Sequence, residues 1–450
     1  MTRTICALPF QHVQQTQRFL KDVLKIESSR VNPYLQAFKL SFPTNNPIRA
    51  KGRILAPPII QFYKQNFIPD PRKSVRFSGK GKFIEPARIR SVAILNVDKG
   101  FRSVTKFAEQ MERHCREQGI TFEKPARDWK VVETHSEDTA GVKTFLSECL
   151  HKKVTIVVAI VNEKKPDIHD VLKYYEEKMG QQTIQICTDT AIKIMSEHGG
   201  KQTLENVLRK FNPKAGGTNF YLNIAPTVCG TSITPDATRL HEKLFARTQF
   251  IGFELSHTGA RTQYDKQAEL FDGEPTVVGV SYSLRQSTQL GGFSYFQPTR
   301  EHKLSRLEEK FQICVDAYEK SAQSLPETIV VYRVGSGEGD FKRIFEEVND
   351  MRKSAERTKQ GYHPKFICIL TQRHCHVRLF PERIQGRKAQ EQNVPSGTVL
   401  ETNVYRNGFD EFIMCCQTPM IVSFRGDFFL LMHLAFESNT AFFPEKKFWG

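Results

Sequence analysis

Strand-like and helix-like segments alternate between Phe83 and Ile224, and this alternation constrains the fold more than any other feature of the chain. The runs SVAILNV, VTIVVAIV and TIQIC are short, apolar and rich in β-branched residues, which indicates buried strands. Segments with apolar residues three and four positions apart lie between them and indicate amphipathic helices. Such alternation favours a Rossmann-like α/β domain whose ligands bind at the carboxyl ends of parallel strands. No G-x-G-x-x-G motif follows the first strand, so a dinucleotide is not expected.

Five polar residues between Asp167 and Gly217 predict an anion site in this domain. They are His169, Lys173, Gln185, Lys210 and Lys214. The first two are four apart in one amphipathic helical pattern, the glutamine follows in a strand, and the last two are four apart at the end of a second helical pattern. If the two helices are neighbours, three ammonium groups converge and need a counter-charge, which a terminal phosphate supplies. The alternative is that these lysines are scattered members of a basic surface.

Composition narrows the class of partner and the compartment. A chain of 450 residues is long enough for two or three domains, and 65 basic against 49 acidic residues give a formal charge of +16, which favours a polyanionic partner. Ten cysteines without a C-x-x-C pair indicate reduced thiols in the cytoplasm or nucleus. His374, Cys375 and His376 are consecutive and would alternate between strand faces, so no metal site is predicted there. The sequence contains no run of about 18 apolar residues, so no membrane span is predicted.

The pattern changes after Ala225. Three β-rich runs come first and are followed by a helical pattern at Leu304–Ala322, the strand ETIVVYRV, a second helical pattern and the strand KFICILTQ. The β-rich runs are Gln249–Ser256, Thr276–Leu284 and Gly291–Phe296. Antiparallel strands followed by strand–helix–strand crossovers favour an RNase H-like fold.

Both parts of the chain resemble Argonaute proteins. The spacing of the five anion-site residues, which ends in Lys214-x-Gly-Gly, resembles the MID domain, and FIGFELSH, VVGVSY, VVYRVGSGEGDF, RHCHVRLF, VPSGTV and FDEFIMCC resemble the PIWI domain. The resemblance implies a linker similar to the segment after PAZ at 1–82, a MID domain at 83–224 and a PIWI domain at 225–450 that departs from the family pattern after about 418. No segment resembles the amino-terminal or PAZ domain. The expectation is therefore a shortened Argonaute or an incomplete gene product.

The resemblance implies that the five residues hold the 5′ phosphate of a small guide RNA. His169 stands where most relatives have a tyrosine that stacks on the first guide base, and imidazole can stack and also carry charge. Histidine there resembles the nematode-expanded Argonaute branch, and on that basis a 5′-triphosphate RNA is expected to bind more tightly than a monophosphate one. No cofactor is required by this resemblance, although it admits Mg²⁺ at the guide 5′ end. Four further residues resemble the strand that contacts the guide backbone: Arg373, His374, His376 and Arg378.

The residues that match the nuclease site of PIWI domains are degenerate. An RNase H-type site needs carboxylates at fixed positions to hold two divalent cations. Glu254 stands where the first catalytic Asp is expected, and Val334 stands where the central Asp is expected and has no atom that can bind a metal. His433, in a segment that echoes a helix of the family, is a candidate for the last ligand, and Glu301 or His302 falls near the position of the completing Glu. We therefore expect no catalytic residues, no bound metal and no target cleavage.

Three functions follow from this resemblance. The first is small-RNA-guided silencing without cleavage, with a guide RNA, a complementary target RNA and silencing effector proteins as partners. The second is an active guide-directed RNA endonuclease that uses Glu254 with substitute ligands. The third is a non-functional Argonaute fragment that does not retain guides.

Overall fold

The computed structural model describes most of the chain as two compact units. The larger unit draws on Met1–Pro58, Pro69–Val75 and Ile224–Gly450, and the smaller unit on Ile59–Ile68 and Arg76–Asn223. The described residues are 8–26, 32–40, 47–70, 81–135, 138–162, 167–196, 200–223, 227–228, 231–232, 245–257, 274–335, 337–372, 377–401, 410–416 and 428–436. Within these residues, no helix is both long enough and apolar enough to cross a membrane.

The elements are numbered in chain order. The strands are β1 Arg53–Ile54, β2 Ile59–Phe62, β3 Gln65–Phe67, β4 Arg88–Ile89, β5 Val92–Asn96, β6 Thr121–Phe122, β7 Lys130–Glu133, β8 Ile156–Val161, β9 Thr183–Cys187, β10 Tyr221–Asn223, β11 Thr227–Val228, β12 Thr231–Ser232, β13 Thr248–Ser256, β14 Thr276–Ser283, β15 Leu290–Gln297, β16 Thr328–Val334, β17 Lys365–Gln372, β18 Thr398–Leu400, β19 Asp410–Cys415 and β20 Phe428–Phe436. The helices are α1 Pro9–Arg18, α2 Pro33–Ala37, α3 Val104–Glu117, α4 Thr139–His151, α5 Asp167–Met179, α6 Thr188–Met195, α7 Gly200–Lys214, α8 Leu307–Ala322, α9 Phe341–Thr358 and α10 Ala389–Gln392.

A four-stranded parallel sheet forms the centre of the smaller unit, in the order β7-β5-β8-β9. Strands β5 and β8 are buried along their whole length because helices cover both faces of the sheet. Alternate residues of β5 serve the two faces: Ile94 packs with α3, α6 and α7, whereas Ala93 and Leu95 pack with α4 and α5. The predicted Rossmann-like α/β domain is therefore confirmed.

A small antiparallel sheet also belongs to the smaller unit. It has the order β10-β2-β3, and its strand β2 pairs along Ile59–Gln61 with Tyr221–Asn223. Residues 59–67 fall in the stretch expected to be a linker, yet they pair with the last residues of this unit. Phe62 of β2 is buried and lies edge-on to Phe220, with ring centroids 5.8 Å apart.

The larger unit is built on a nine-stranded sheet in the order β1-β18-β19-β20-β17-β16-β13-β14-β15. Strands β13, β14 and β15 are antiparallel neighbours, and β16 and β17 continue the sheet parallel to β13. Helices α8 and α9 follow β15 and β16 as crossovers and pack their apolar sides on this sheet. This is the predicted RNase H-like arrangement. One edge of the sheet is β1, where Arg53 pairs with Val399 of β18.

An ion pair is enclosed in the core of the larger unit. The guanidinium of Arg333 on β16 donates from Nε to Oε2 of Glu347 on α9 at 3.0 Å, and the carboxylate is 1% exposed. Each partner makes a further hydrogen bond, since Arg333 donates to the carbonyl of His302 and Glu347 accepts from the amide of Leu304. The pair ties the loop before α8 to both β16 and α9.

Two sequence-based assignments differ from the structure. The segment around His433 was expected to echo a helix, but it lies in β20, where His433 pairs with Ile369 of β17 and with Asp410 of β19. The apolar run fits this strand because it lies between two other strands of the sheet. Arg378, which resembles a residue on a strand of the family, lies in a stretch without regular structure at 377–380. Near the start of the chain, α1 is followed directly by a π-helical turn at Phe19–Val23.

Candidate functional site

The five predicted anion-site residues lie on three neighbouring elements of the smaller unit. His169 and Lys173 are one turn apart on α5, Gln185 is on β9, and Lys210 and Lys214 are one turn apart at the end of α7. Helices α5 and α7 both contact β9, although they cover opposite faces of the sheet. The residues therefore gather around the last strand of the parallel sheet.

Side-chain contacts join four of the five residues into two groups. In the first group, Nδ1 of His169 lies 2.6 Å from Oε1 of Gln185. In the second group, Lys173 and Lys214 donate to the two carboxylate oxygens of Glu176, the latter at 2.8 Å. Lys210 is exposed on the turn of α7 that precedes Lys214.

Glu176 is the residue that sequence reasoning missed. Its carboxylate accepts four hydrogen bonds: two from the lysines, one from the Thr183 hydroxyl at 2.9 Å and one from the Thr183 amide at 3.2 Å. Burial alone would raise the pKa of Glu176, but the hydrogen bonds from Lys173, Lys214 and Thr183 and the charge of Lys214 outweigh burial and lower it. The group is therefore an anion at neutral pH, and its only sequence signal was its i,i+3 spacing from Lys173.

The ammonium group of Lys214 is placed between Glu176 and the backbone of β9. It donates to the Thr183 carbonyl at 2.7 Å in addition to the carboxylate. Burial lowers the pKa of Lys214, the carboxylate of Glu176 acts in the opposite direction, and the charge of Lys173 adds to the lowering. Two of the three hydrogens of the Lys214 ammonium group are used in these bonds, so one remains for a further acceptor.

The end of α7 is fixed by a buried asparagine, and this fixes Lys214. Oδ1 of Asn212 accepts from the Ala87 amide at 2.8 Å, and Nδ2 donates to Oδ1 of Asn219 at 3.0 Å. The helix stops because Gly216 adopts φ 90°, a conformation that favours glycine. Lys214 is the last residue of the helix, where the partial negative charge of the carbonyl end favours a cation.

The cluster has a net positive charge. Lys173, Lys210 and Lys214 carry three positive charges and Glu176 one negative charge, which leaves a formal charge of +2 when His169 is neutral. Two of these ammonium groups remain partly open to solvent, with side-chain exposures of 41% for Lys173 and 32% for Lys214, whereas Glu176 is only 12% exposed. The lysines therefore lie nearer to solvent than the carboxylate that joins them.

The guide-backbone candidates are largely beyond the described residues. Arg373, His374 and His376 lie outside them. Arg378 is described and exposed, and its guanidinium donates to the carbonyl of Val377 at 3.1 Å. Its assignment to the guide backbone stays a prediction.

Glu254 and Val334, which match the nuclease positions, are neighbours in the sheet of the larger unit. They are paired residues on the parallel strands β13 and β16. Both line a cavity of about 670 Å³ whose other described walls are mainly aromatic and aliphatic, including Tyr282, Phe293 and Tyr332. Among the described lining residues, Glu254 is the only carboxylate, and Val334 supplies no donor atom. The described residues at these positions therefore do not fit a two-cation site.

Other acidic and imidazole side chains that follow strands β13, β15 and β16 have local partners. Asp340 pairs with Arg343 at 2.8 Å and accepts from the amide of Gly337. The rings of His257 and His302 are 4.5 Å apart at the end of β13, and Nδ1 of His257 lies 2.9 Å from the Thr276 hydroxyl. Burial, followed by the nearby charge of His302 and of three arginines, lowers the pKa of His257. Within the described residues, no three His, Cys, Asp or Glu side chains are grouped to hold a metal ion.

Comparison with known proteins gives consistent matches. The Piwi domain model matches residues 155–426. The chain is 51% identical over 405 residues to the Nuclear RNAi defective-3 protein of Caenorhabditis elegans, covering 89% of this chain and 38% of that protein. It is 26% identical over 314 residues to Argonaute protein wago-1 of the same organism, covering 68% of this chain and 30% of that protein. The chain thus spans less than half the length of these curated relatives.

Two solved structures share the fold. The Argonaute of Kluyveromyces polysporus with a guide RNA superposes with a TM-score of 0.71 at 17% identity, over 98% of this chain and 53% of that one. Drosophila Piwi superposes with a TM-score of 0.72 at 14% identity, over 99% of this chain and 55% of that one. At these identities the match establishes the architecture alone.

Proposed function

Since this chain belongs to the Argonaute family, with a Piwi domain, we propose that it binds a small guide RNA by the 5′ phosphate and silences complementary transcripts without cutting them. The observation that carries the proposal is the cluster around β9. There Lys173 and Lys214 share one carboxylate and His169 lies against Gln185. The partners proposed are a guide RNA, a complementary target RNA and silencing effector proteins, and the name of the 51% identical relative favours a nuclear role.

The chemistry of the cluster suits a terminal phosphate. Lysine ammonium groups act as point charges on phosphate oxygens, and Lys173 and Lys214 each retain donor hydrogens beyond those given to Glu176. Lys210 adds a third charge from the exposed side of α7. His169 is exposed and its Nδ1 is held by Gln185, and we propose that its ring stacks on the first base. The formal charge of +2 that remains after Glu176 is counted balances a monophosphate dianion, so the proposal requires no Mg²⁺ at the guide 5′ end.

We expect the wild-type chain to bind a 5′-monophosphate RNA at least about tenfold more tightly than the same RNA with a 5′ hydroxyl, because charge-assisted bonds to the phosphate are absent from the latter. Fluorescence anisotropy at a fixed salt concentration measures the ratio. An RNA with a 3′ phosphate and a 5′ hydroxyl has the same charge as the 5′-monophosphate RNA and is the control. Equal affinities for all three would contradict the proposal. A 5′-triphosphate RNA in the same series is expected to bind more tightly than the monophosphate.

The guide is proposed to direct silencing without target cleavage, because Val334 stands beside Glu254 in place of a second carboxylate. When the chain is loaded with a 5′-phosphorylated guide, we expect no discrete product from a complementary target in Mg²⁺ or Mn²⁺. Gel electrophoresis of an end-labelled target tests this, with an RNase H on a matched RNA–DNA duplex as positive control. A single cut at one phosphate opposite the guide would instead favour the endonuclease function.

The RNA that co-purifies with the protein from cells distinguishes guide loading from the alternative of a non-functional Argonaute fragment. Guide retention predicts co-purified RNAs of uniform length with a common 5′ base, whereas a fragment that does not load yields random fragments. Sequencing of the co-purified RNA distinguishes the two outcomes.

The four predicted guide-backbone residues, among them Arg378, would contact phosphates without reading the sequence.

A further inference from the structure

A carboxylate at the centre of a proposed phosphate site is unexpected. Glu176 lies among the cations that would hold the phosphate, and its two oxygens bind the same ammonium groups, Lys173 and Lys214. A site selected only for phosphate affinity would gain from a neutral hydrogen-bond acceptor at this position, because a carboxylate repels the ligand. The carboxylate therefore needs a reason beyond holding the lysines.

Burial and position make Glu176 a fixed part of the site. Thr183 donates to it from both hydroxyl and backbone amide, which anchors the carboxylate to β9. It is far less exposed than either lysine, so a ligand that arrives from solvent meets the ammonium groups first. A phosphate oxygen bonded to either lysine would then lie about 4.5–5 Å from the nearest carboxylate oxygen, because the hydrogens of one ammonium group point about 110° apart.

We propose that Glu176 sets the charge selectivity of the 5′-phosphate site, by lowering the positive charge that the lysines present and so limiting the gain in affinity from each added phosphate charge. This inference rests on the proposed function, since it concerns the same site. With Glu176 ionised, the described cluster carries a formal charge of +2, which a monophosphate dianion balances. Without the Glu176 carboxylate the formal charge is +3, and the RNAs with the most highly charged 5′ ends gain the most affinity.

Glu176 also favours phosphate binding by holding the lysines in place, but this effect is smaller than its repulsion of the phosphate. Lys214 keeps its bond to the Thr183 carbonyl without the carboxylate, and the end of α7 is fixed separately by Asn212. A glutamine at position 176 would still accept from one lysine and from Thr183. Holding a partly exposed lysine in place contributes less to binding than the repulsion between a carboxylate and a phosphate dianion within about 6 Å. Removal of the Glu176 charge is therefore expected to raise the affinity for a phosphorylated RNA.

The test compares Glu176→Gln with the wild-type chain on three RNAs of one sequence with a 5′ hydroxyl, a 5′ monophosphate or a 5′ triphosphate. We expect affinity for the hydroxyl RNA to change by less than about twofold, for the monophosphate to rise about tenfold and for the triphosphate to rise by more, about thirtyfold. The control is Glu177→Gln, which removes the same charge from an exposed position on α5 and should raise all three by about the same small factor.

Each outcome bears on the proposal. An unchanged or lowered preference for phosphate in Glu176→Gln would overturn it and assign Glu176 to positioning the lysines. If Gln at this site prevents folding, judged by thermal unfolding, Glu176→Asp serves instead: it withdraws the carboxylate by about 1.5 Å and should raise the monophosphate preference about twofold. No rise in that variant would equally overturn the inference. Failure of the wild type to prefer 5′-phosphate RNA rejects the proposed function itself, so the two failures are distinguishable.

Discussion

Replacing Lys214 with methionine is expected to weaken binding of a 5′-monophosphate RNA about thirtyfold, because a charged hydrogen bond to the phosphate is lost. Affinity for the 5′-hydroxyl RNA should stay within about threefold, since only the general attraction of the basic chain for RNA changes. Anisotropy titrations of both RNAs at one salt concentration measure the two affinities.

The matched control is Lys201→Met on the same helix. Lys201 is exposed near the start of α7, about 20 Å from Lys214 along the helix axis, so it removes the same charge from the chain but not from the cluster. We expect it to weaken both RNAs equally and slightly. Equal losses on the two RNAs in the Lys214 variant would show that this lysine serves only the overall charge.

Truncating Glu347 to alanine is expected to lower the free energy of unfolding of the larger unit by about 3–5 kcal/mol, because it leaves the guanidinium of Arg333 buried without its counter-charge. The amide of Leu304 loses its acceptor in the same variant. Urea denaturation followed by circular dichroism measures the loss. Because the chain has two units and a second tryptophan at position 449, the denaturation is repeated with Trp449→Phe in both chains. The fluorescence of Trp129 then reports on the smaller unit, and its transition should not move.

Glu346 provides the matched control for this variant. It neighbours Glu347 on α9, but it is 49% exposed and lies 3.8 Å from Lys303. Its replacement by alanine should cost under about 1 kcal/mol. A similar small cost in Glu347→Ala would contradict the inference that the enclosed pair depends on both partners.

The strands and helices around the anion site could be predicted because each has a clear period. Strand β8 is apolar throughout and α7 places Leu204, Leu208 and Phe211 on one side, and the structure buries all of these residues. The proximity of Lys173 to Lys214 could be expected only by assuming that α5 and α7 are neighbours. In the structure these helices lie on opposite faces of the sheet, and the two side chains meet around β9.

What the sequence could not provide depends on contacts between distant residues. Glu176 stands next to Glu177 in a polar helical stretch, so it resembled one of two solvated acids until Thr183 and Lys214 were seen to bind it. The run FFLLMHLAF fits either a helix or a strand, and pairing with β17 and β19 selected the strand. The side-by-side pairing of Glu254 and Val334 likewise follows from the register of two strands that are far apart in the chain.

The pairing of Arg53 with Val399 has a consequence for the order in which a ribosome would make and complete this protein. Strand β1 is synthesised before its partner β18, which follows about 345 residues later in the chain. Ile59–Gln61 likewise wait for Tyr221–Asn223. Contacts between such distant residues close large loops and form slowly, so the early part of the nascent chain must remain unpaired while later residues fold.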